Sequence, residues 1–255
     1  MSEGTRGTVL ITGAARRIGR AMAIELAREG RPVAVHYAAS KADADATVGE
    51  IERSGGRAVA LGADLAREEE AQALLPAAET ALGPVDCLIN NAAAFDRDSV
   101  ASASRASWDT HMETNLRAPF VLIQAMSDRL PESWSGNVIN ILDERVWNLT
   151  PHFVSYTLSK SALWTLTQTM ALALAPRIRV NGIGPGPTLP SPRQSEEQFA
   201  RQQVMMPLGR GTTPEEICAA VQFILSARAM TGQMIALDGG QHLGWAQPGA
   251  PPANE

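Results

Sequence analysis

The sequence has only two cysteines among its 255 residues, Cys87 and Cys218. They are far apart, so they fit neither the spacing of a metal site nor the disulfide framework of a small secreted domain. We expect two buried thiols in a reducing compartment. His36, His111 and His152 show no metal-binding or catalytic-triad spacing, so the sequence predicts no metal site.

Positive charge and long apolar runs are also scarce. Lys and Arg number 22 against 27 Asp and Glu, and the net charge of −5 comes without a basic stripe. We therefore expect no nucleic-acid partner and no membrane partner. No run approaches the roughly 20 apolar residues of a membrane span, and the apolar stretch near the N-terminus is too short for a secretion signal. These features predict a cytoplasmic protein.

Hydrophobic residues, 45% of the chain, form short β-branched runs that alternate with longer helical segments. The predicted strands are Thr8–Thr12, Pro32–His36, Ala58–Gly62, Val85–Asn90, Asn137–Leu142, Arg177–Ile183 and Gln233–Leu237. The predicted helices are Arg17–Glu29, Lys41–Arg53, Glu68–Leu82, Ser107–Arg129 and Ser155–Leu174. Strands that are apolar throughout and separated by helices indicate an α/β fold with a doubly wound parallel sheet covered on both faces. We expect one domain over residues 1–255.

Two stretches are rich in proline and glycine. The stretch GPGPTLPSP, Gly184–Pro192, is followed by an amphipathic segment, and we expect a mobile substrate loop over about residues 186–210. Residues 244–255 carry no packing signal, so they are expected to form a flexible tail.

The first predicted strand leads into the turn TGAARRIGR, Thr12–Arg20. Glycines at a strand-to-helix turn let the backbone approach a pyrophosphate, whose charge is stabilised by the N–H groups and dipole of the following helix. Gly13 and Gly19 could also serve the geometry of a tight turn alone. At the start of an alternating α/β chain they predict a dinucleotide site.

The end of the second strand indicates which dinucleotide binds. An NAD site usually has an Asp or Glu there, which accepts a hydrogen bond from the ribose 2′-hydroxyl. This chain has HYAAS at residues 36–40 and no acid before Asp43, whereas Arg16 and Arg17 lie in the preceding turn. A missing carboxylate with nearby arginines predicts NADP(H). Asp64, just past the third strand, would either meet the adenine amino group or cap the next helix.

Four motifs coincide in order and spacing: the Gly13–Gly19 turn, Asn90-Asn91-Ala92, Tyr156-x-x-x-Lys160 and Pro185-Gly186. Together they resemble the short-chain dehydrogenase/reductases over nearly the whole chain. The resemblance implies a seven-stranded Rossmann sheet, hydride transfer with a nicotinamide cofactor, and a homo-oligomer, either a dimer or a tetramer. The expected cofactor-binding residues are Gly13, Arg16, Arg17, Ile18, His36, Tyr37, Ser40, Asp64, Leu65, Asn91, Ala92, Ala93, Tyr156, Lys160, Pro185, Gly186 and Thr188.

Two positions depart from the usual family pattern. Arg17 stands where a glycine is common, and Asp143 stands thirteen residues before the tyrosine, where a serine is common. With Phe95, these residues resemble the pteridine reductases and dihydromonapterin reductases. That resemblance implies that Arg17 lies beside the cofactor phosphate and the pterin, that Phe95 stacks on the pterin, and that Asp143 takes the place of the serine.

Three alanines depart from this subgroup in turn. Ala38 and Ala39 stand where a basic residue can help to hold the 2′-phosphate, and Ala93 stands where a serine is common. These differences bear on the pterin assignment and leave the family resemblance unchanged.

The catalytic residues implied are Tyr156, Lys160, Asp143 and Asn115. Tyr156 and Lys160 share one helix face, and a nearby ammonium lowers the pKa of a phenol from its usual value of about 10. The family resemblance also implies that Lys160 donates to the nicotinamide ribose, that Asn115 anchors a proton-relay water, and that Thr188 meets the nicotinamide carboxamide. A polar residue satisfied by backbone is an equal alternative for Asn115.

Asp143 bears on the substrate. An ionised carboxylate cannot donate a hydrogen bond to a ketone, unless burial keeps it protonated. It suits a heterocycle with N–H donors and a C=N bond, where it would orient the substrate or share a proton with Tyr156. The alternative is a structural Asp that caps the turn after the strand.

These residues predict an NADPH-dependent reductase of a pterin-like small molecule, with Arg17, Phe95, Asp143 and Tyr156 contacting the substrate. One alternative is a carbonyl, polyol or 3-oxoacyl reductase of the same family with a neutral Asp143. An alternative of another class is a non-catalytic NADPH-binding sensor.

Overall fold

The structure is a computed structural model that describes residues 6–191 and 193–244. Its strands are β1 (Thr8–Ile11), β2 (Val33–Tyr37), β3 (Ala58–Gly62), β4 (Val85–Asn90), β5 (Gly136–Ile141), β6 (Ile178–Pro185) and β7 (Met234–Leu237). Its α-helices are α1 (Arg17–Arg28), α2 (Lys41–Arg53), α3 (Glu68–Leu82), α4 (Arg105–Met112), α5 (Ala118–Arg129), α6 (Val154–Leu174), α7 (Glu196–Val204) and α8 (Pro214–Ser226). The predicted flexible tail lies, from residue 245 onward, outside the described residues.

The seven strands form one sheet in the order β3-β2-β1-β4-β5-β6-β7, and every neighbouring pair is parallel. The prediction of a doubly wound α/β fold is confirmed. The chain reverses its direction across the sheet between β1 and β4, and the crevice at such a switch point is where these folds bind ligands.

Both faces of the sheet are buried, which explains why the strands do not alternate between polar and apolar residues. Val9 and Ile11 of β1 lie in one apolar cluster with residues of α1 and α8. Leu10, between them, points to the opposite face and packs with residues of α3 and α5. Val138 of β5 belongs to this second cluster and is 1% exposed.

The predicted helix Ser107–Arg129 is divided in the structure. A π-helical turn, Glu113–Arg117, separates α4 from α5. Pro119 has no N–H and cannot donate to the carbonyl of Asn115 four residues earlier, so regular α-helical bonding is interrupted here. The turn places Asn115 in the protein interior, with none of its surface exposed.

Helix α7 lies within the predicted substrate loop, residues 186–210, so this segment is not a loop throughout, and α8 follows it. The sequence indicated one amphipathic segment here but not the bounds of the two helices. Both begin with a capping box: Ser195 pairs with Gln198, and Thr213 pairs with Glu216. Pro214 occupies the first helical position of α8. The patterns S-x-x-Q and T-P-E-E are sequence signals from which both starts can be found.

We expect Val138→Ala to lower the free energy of unfolding by about 2 kcal/mol or more, because it removes two buried carbon atoms and leaves a cavity in the apolar cluster that includes residues of α3 and α5. Val100→Ala is the matched control, since Val100 is 91% exposed and surface changes usually stay within about 0.5 kcal/mol. Chemical denaturation of the two variants measures the difference. Equal losses would contradict the described core.

Candidate active site

A cavity of about 240 Å³ opens at the carboxyl ends of the central strands. Many of the predicted site residues line it: Arg17, Ile18, Asn91, Ala93, Phe95, Asp143, Tyr156, Lys160, Pro185, Gly186 and Thr188. A second cavity adjoins it beside the glycine turn and the end of β2, and its lining includes Gly13, Arg16, Arg17, Ile18, Tyr37, Ser40, Asn91, Ala92 and Ala93. His36, Asp64, Leu65 and Asn115 line neither cavity.

The glycine turn is held close to the sheet. Gly13 has a positive φ of 63°, and a Cβ atom at Gly19 would lie 2.3 Å from the Gly13 carbonyl oxygen. The Asn91 side chain donates to the carbonyl oxygens of Thr12 and Gly13, at 2.8 and 3.1 Å. Arg16, the N-cap residue of α1, makes no side-chain capping bond. The first residues of α1 line the second cavity, and an uncapped helix N-terminus is a suitable place for an anion.

Arg17 has a left-handed backbone conformation, with φ of 55°. This conformation is costly for a residue with a Cβ but not for glycine. A glycine is accordingly common at this position in the family that the sequence resembles. The Arg17 guanidinium donates to the carbonyl oxygens of Pro190 and Leu189, at 2.8 and 3.2 Å. It thus connects the glycine turn to the predicted substrate loop. Arg16 instead forms an exposed ion pair with Asp43 at 3.6 Å.

Two predicted cofactor ligands have structural roles. The Gly13 N–H donates to His36 Nδ1, and His36 Nε2 bonds the Ala63 carbonyl, both at 3.0 Å. Burial lowers the pKa of His36, so this neutral side chain supports the turn from behind and does not line either cavity. Asp64 accepts from the Ala66 N–H at 3.0 Å and so closes a turn ahead of α3; the N-cap residue of α3 is Arg67, so Asp64 does not cap this helix. Leu65 is buried.

At the centre of the site, the Tyr156 hydroxyl donates to Asp143 Oδ2 at 2.7 Å. The other carboxylate oxygen of Asp143 accepts from the Arg145 N–H at 2.9 Å, at the start of a 3₁₀ turn. One Asp143 oxygen therefore caps the turn, as the structural alternative predicts, while the other contacts the phenol. Lys160 Nζ donates to the Ile141 carbonyl at 2.8 Å.

The pKa of Tyr156 differs from the one expected from its spacing to Lys160. Burial, together with the charge and hydrogen bond of Asp143, raises the pKa of Tyr156 well above its usual value. Burial lowers the pKa of Lys160 to about 8. The predicted lowering of the Tyr156 pKa by Lys160 is wrong for this arrangement, because the nearest charge to the phenol is a carboxylate. Tyr156 is consequently held as a protonated donor.

Asn115 joins two sides of the site through its side chain. It accepts from the Ala94 N–H at 2.8 Å and donates to the Ala94 carbonyl at 2.9 Å and to Ser159 Oγ at 3.0 Å. These bonds fit the alternative of a residue satisfied mainly by backbone. They link the segment after β4 to helix α6, which carries Tyr156.

Several residues that line the cavity were not found from the sequence. Glu144 is 4% exposed and lies next to Asp143. Burial, the charge of Asp143 and the charge of Asp238 raise the pKa of Glu144 to about 8. The acidic pair at 143–144 is visible in the sequence, but only the fold reveals that the second acid is buried beside the first.

The aromatic wall of the cavity has a second layer that the sequence analysis missed. Phe95 stacks on Phe153 with ring centroids 4.7 Å apart and planes 1° from parallel. It also makes a T-shaped contact with Tyr156, with ring centroids 4.7 Å apart. The Arg145 guanidinium lies 4.8 Å from the Phe153 ring centre. Phe153 has a φ of 58°, the left-handed region, and is 3% exposed. Phe95 is therefore braced from behind.

The predicted substrate loop covers this wall. Arg193 donates to the Phe95 carbonyl and pairs with Asp96 at 3.0 Å. Thr188 Oγ1 donates to the Gly186 carbonyl at 3.0 Å. Further lining residues lie within the predicted substrate loop but were not named individually from the sequence: Leu189, Ser191, Gln194, Phe199 and Gln202.

Within residues 6–191 and 193–244, no group of three or more His, Cys, Asp or Glu side chains could hold a metal ion. In the same part of the chain, no helix has both the length and the apolar character to cross a membrane. Cys87 and Cys218 are both buried, as predicted.

Glu144→Gln should stabilise the protein increasingly as the pH rises. The raised pKa means that the unfolded chain ionises Glu144 from about pH 4.5 while the folded chain keeps its proton up to about pH 8. Stability contributed by the neutral acid is thus fully present below pH 4.5 and is lost toward pH 8. We expect the Tm difference between variant and wild type to grow over this range.

Differential scanning fluorimetry at several pH values measures this difference. Glu132→Gln, a change at an exposed glutamate, is the matched control and should show no such trend. A Tm difference for Glu144→Gln that stays constant from pH 5 to pH 8 would contradict the raised pKa.

Comparison with known proteins agrees with the fold and the motifs. The family model described as Enoyl-(Acyl carrier protein) reductase matches residues 13–242. The crystal structure of FolM alternative dihydrofolate reductase 1 from Brucella suis, in complex with NADP, is 49% identical and superposes with a TM-score of 0.91, covering 94% of this chain and 97% of that chain. Its counterpart from Brucella canis, also complexed with NADP, is 47% identical with a TM-score of 0.90, covering 94% and 96%.

A second kind of relative is also similar. The 3-oxoacyl-[acyl-carrier-protein] reductase FabG from Staphylococcus epidermidis is 33% identical, over 92% of this chain and 99% of its own length. The family model and these identities cover nearly the whole sequence, in accord with the motifs and the seven-stranded sheet. The chain belongs to the short-chain dehydrogenase/reductase family.

Proposed function

We propose that this protein is an NADPH-dependent reductase of a pterin-type C=N bond. The observation that carries the proposal is the hydrogen bond from the Tyr156 hydroxyl to Asp143, 2.7 Å long, at the wall of the main cavity. The similarity to two FolM alternative dihydrofolate reductases supports the same substrate class.

The cofactor is NADP(H). This prediction is confirmed by the similar structures, which are complexes with NADP. The chain's residues fit a dinucleotide: the turn leaves no room for a side chain at Gly19, and Arg16 and Arg17 flank the N-terminus of α1. Tyr37 and Ser40, in the second cavity, would lie beside the 2′-phosphate. When bound, the reduced cofactor supplies the hydride.

Tyr156, oriented by Asp143, would supply the proton. The raised pKa of Tyr156 keeps the phenol protonated, so its proton is available to a substrate nitrogen that becomes basic as the carbon is reduced. Asp143, which accepts a hydrogen bond from the Tyr156 hydroxyl, fixes the orientation of the donor, and solvent must return the proton to the phenol after each turnover. Lys160, whose ammonium donates to the Ile141 carbonyl at the end of β5, would hold the cofactor ribose.

The same carboxylate selects against a simple ketone. A charged oxygen next to the proton donor repels carbonyl lone pairs but accepts hydrogen bonds from ring N–H or amino groups. A pterin presents such donors on one edge and a flat ring to Phe95. Phe95 is held rigid by Phe153, so the slot for a flat ring is preorganised.

One observation favours a second function. The similarity to 3-oxoacyl-[acyl-carrier-protein] reductase FabG spans nearly the full length of both chains. Reduction of a 3-oxo group would require a neutral Asp143 that donates to the carbonyl. A non-catalytic NADPH sensor is disfavoured because such a protein has no use for the buried Tyr156–Asp143 pair. The predicted cytoplasmic location and the dimer or tetramer stay predictions.

The proposed activity predicts NADPH oxidation with dihydrobiopterin, dihydromonapterin or dihydrofolate. Tyr156→Phe should lower kcat by about 100-fold or more, because it removes the proton donor. Asp143→Ser should lose activity on the dihydropterin and gain activity on acetoacetyl-CoA. The loss of NADPH absorbance measures all of these rates.

The comparison with acetoacetyl-CoA decides between the candidates. Wild-type enzyme that reduces acetoacetyl-CoA but none of the three pterins would refute the pterin proposal and support the 3-oxo one. Turnover of neither class, with tight NADPH binding, would support the sensor.

Arg17→Gly should separate stability from function. Glycine relieves the left-handed strain, so the free energy of unfolding should stay the same or rise by up to about 1 kcal/mol. The lost guanidinium should raise KM for the dihydropterin about tenfold or more, as for a charged hydrogen-bonding partner. Arg17→Ala is the matched control, because it removes the same charge and keeps the strain. A stabilised Arg17→Gly with unchanged KM for dihydropterin and NADPH would contradict a ligand-binding role.

A further inference from the structure

A serine, a histidine and an aspartate form a buried chain behind the active-site wall. His111 Nδ1 lies 2.7 Å from Ser155 Oγ, and Ser155 Oγ donates to Asp98. The three residues are 0%, 0% and 3% exposed, respectively. Their spacing in the sequence gave no indication of this contact, since they come from α4, from α6 and from the segment between β4 and α4.

The direction of each bond in this chain can be assigned. The Asp96 N–H donates to His111 Nε2 at 3.0 Å, so that nitrogen carries no proton. His111 is then neutral with its proton on Nδ1, which donates to Ser155 Oγ. The Ser155 hydroxyl in turn donates to the Asp98 carboxylate, which also accepts from the Ser155 N–H at 3.2 Å.

This order of donors rules out a hydrolytic triad. In such a triad the histidine accepts the serine proton, whereas here the serine gives its proton to the aspartate and accepts from the histidine. Ser155 is also fully buried, so no substrate can reach its oxygen. The three residues can therefore act only by holding neighbouring residues in position.

The chain connects the two walls of the substrate slot. Asp96, bonded to His111, directly follows Phe95, and Ser155 directly precedes Tyr156. The Asp98 carbonyl also accepts from the Phe153 N–H at 2.8 Å, which ties down the residue that stacks on Phe95. The rings of Phe95 and Tyr156 lie 4.7 Å apart at the cavity.

We propose that Asp98, Ser155 and His111 are positioning residues that set the separation between Phe95 and Tyr156, and with it the fit of a flat substrate against the proton donor. We call these three hydrogen-bonded residues the strut. Ser155 directly precedes Tyr156, and His111 accepts from the N–H of Asp96, the residue after Phe95. Because the assay uses a dihydropterin, the kinetic part of the test rests on the proposed function.

Protonation of His111 would break the strut. A second proton would lie on Nε2 and face the Asp96 N–H, so two donors would meet. The groups that face His111 are Asp96 and Asp98 from the segment after β4, Ser107 of its own helix, and Ser155 and Tyr156 of α6; Arg193 reaches Asp96 from the substrate loop. Burial outweighs the two aspartates and lowers the pKa of His111. We therefore expect these hydrogen bonds to break only at acidic pH, below the range in which a histidine usually takes up its second proton.

Ser155→Ala tests the strut with little change in volume, and Ser161→Ala on the same helix is the matched control. We expect Ser155→Ala to raise KM for dihydrobiopterin about tenfold or more, because Phe95 and Tyr156 would no longer be held at the separation that fits the substrate. KM for NADPH should stay within about twofold. In wild type, protonation of His111 should lower kcat/KM for dihydrobiopterin at acidic pH. This fall should be absent from the pH profile of His111→Phe, because phenylalanine does not titrate.

Crystal structures of the wild type and both variants provide a readout that needs no turnover. The proposal requires the separation between Phe95 and Tyr156 to increase in Ser155→Ala and in His111→Phe. An unchanged separation, or a KM for dihydrobiopterin equal to that of Ser161→Ala, would overturn it. Absence of dihydropterin turnover in the wild type would count against the proposed function alone, and the crystal structures would then decide the positioning role.

Discussion

The hydrogen bond between Tyr156 and Asp143 is the contact on which the rest of the site depends. It joins the carboxyl end of β5 to helix α6 in a buried region, where an unpaired carboxylate would be costly. Asp143 uses its second oxygen to begin the 3₁₀ turn that carries Glu144 and Arg145. Asp143 therefore begins the turn and contacts the phenol, and its charge adds to burial in raising the pKa of Tyr156 and the pKa of Glu144.

Strain is concentrated around this contact. Arg17 and Phe153 are the two described non-glycine residues with a left-handed backbone, and such conformations typically cost about 1–3 kcal/mol each. Both lie beside the cavity: Arg17 reaches the substrate loop, and Phe153 braces Phe95. The two apolar clusters on the faces of the sheet stabilise the fold enough to hold these residues in place. The site is thus rigid where a flat ring would bind.

The sequence predicted the seven strands and most helices closely, because a fully buried parallel strand leaves an uninterrupted apolar run. It also predicted the residues of both cavities that lie at strand ends, such as Gly13, Asn91, Asp143 and Pro185. It gave no sign that His36, which shares a strand end with Tyr37, accepts from the Gly13 N–H and supports the turn. It also failed for the pKa of Tyr156, since the spacing to Lys160 says nothing about how near Asp143 comes.

The sequence alone determined the α/β architecture, the dinucleotide turn and the identity of the catalytic candidates, because those depend on local patterns along the chain. Only the tertiary structure decided which of the candidates meet. Asp143 and Tyr156, thirteen residues apart, meet because the end of a strand packs against a helix. Asp98, Ser155 and His111 come from three separate segments that the fold brings together. Contacts of this kind arise from packing between elements, and burial then determines which of these groups keeps its proton.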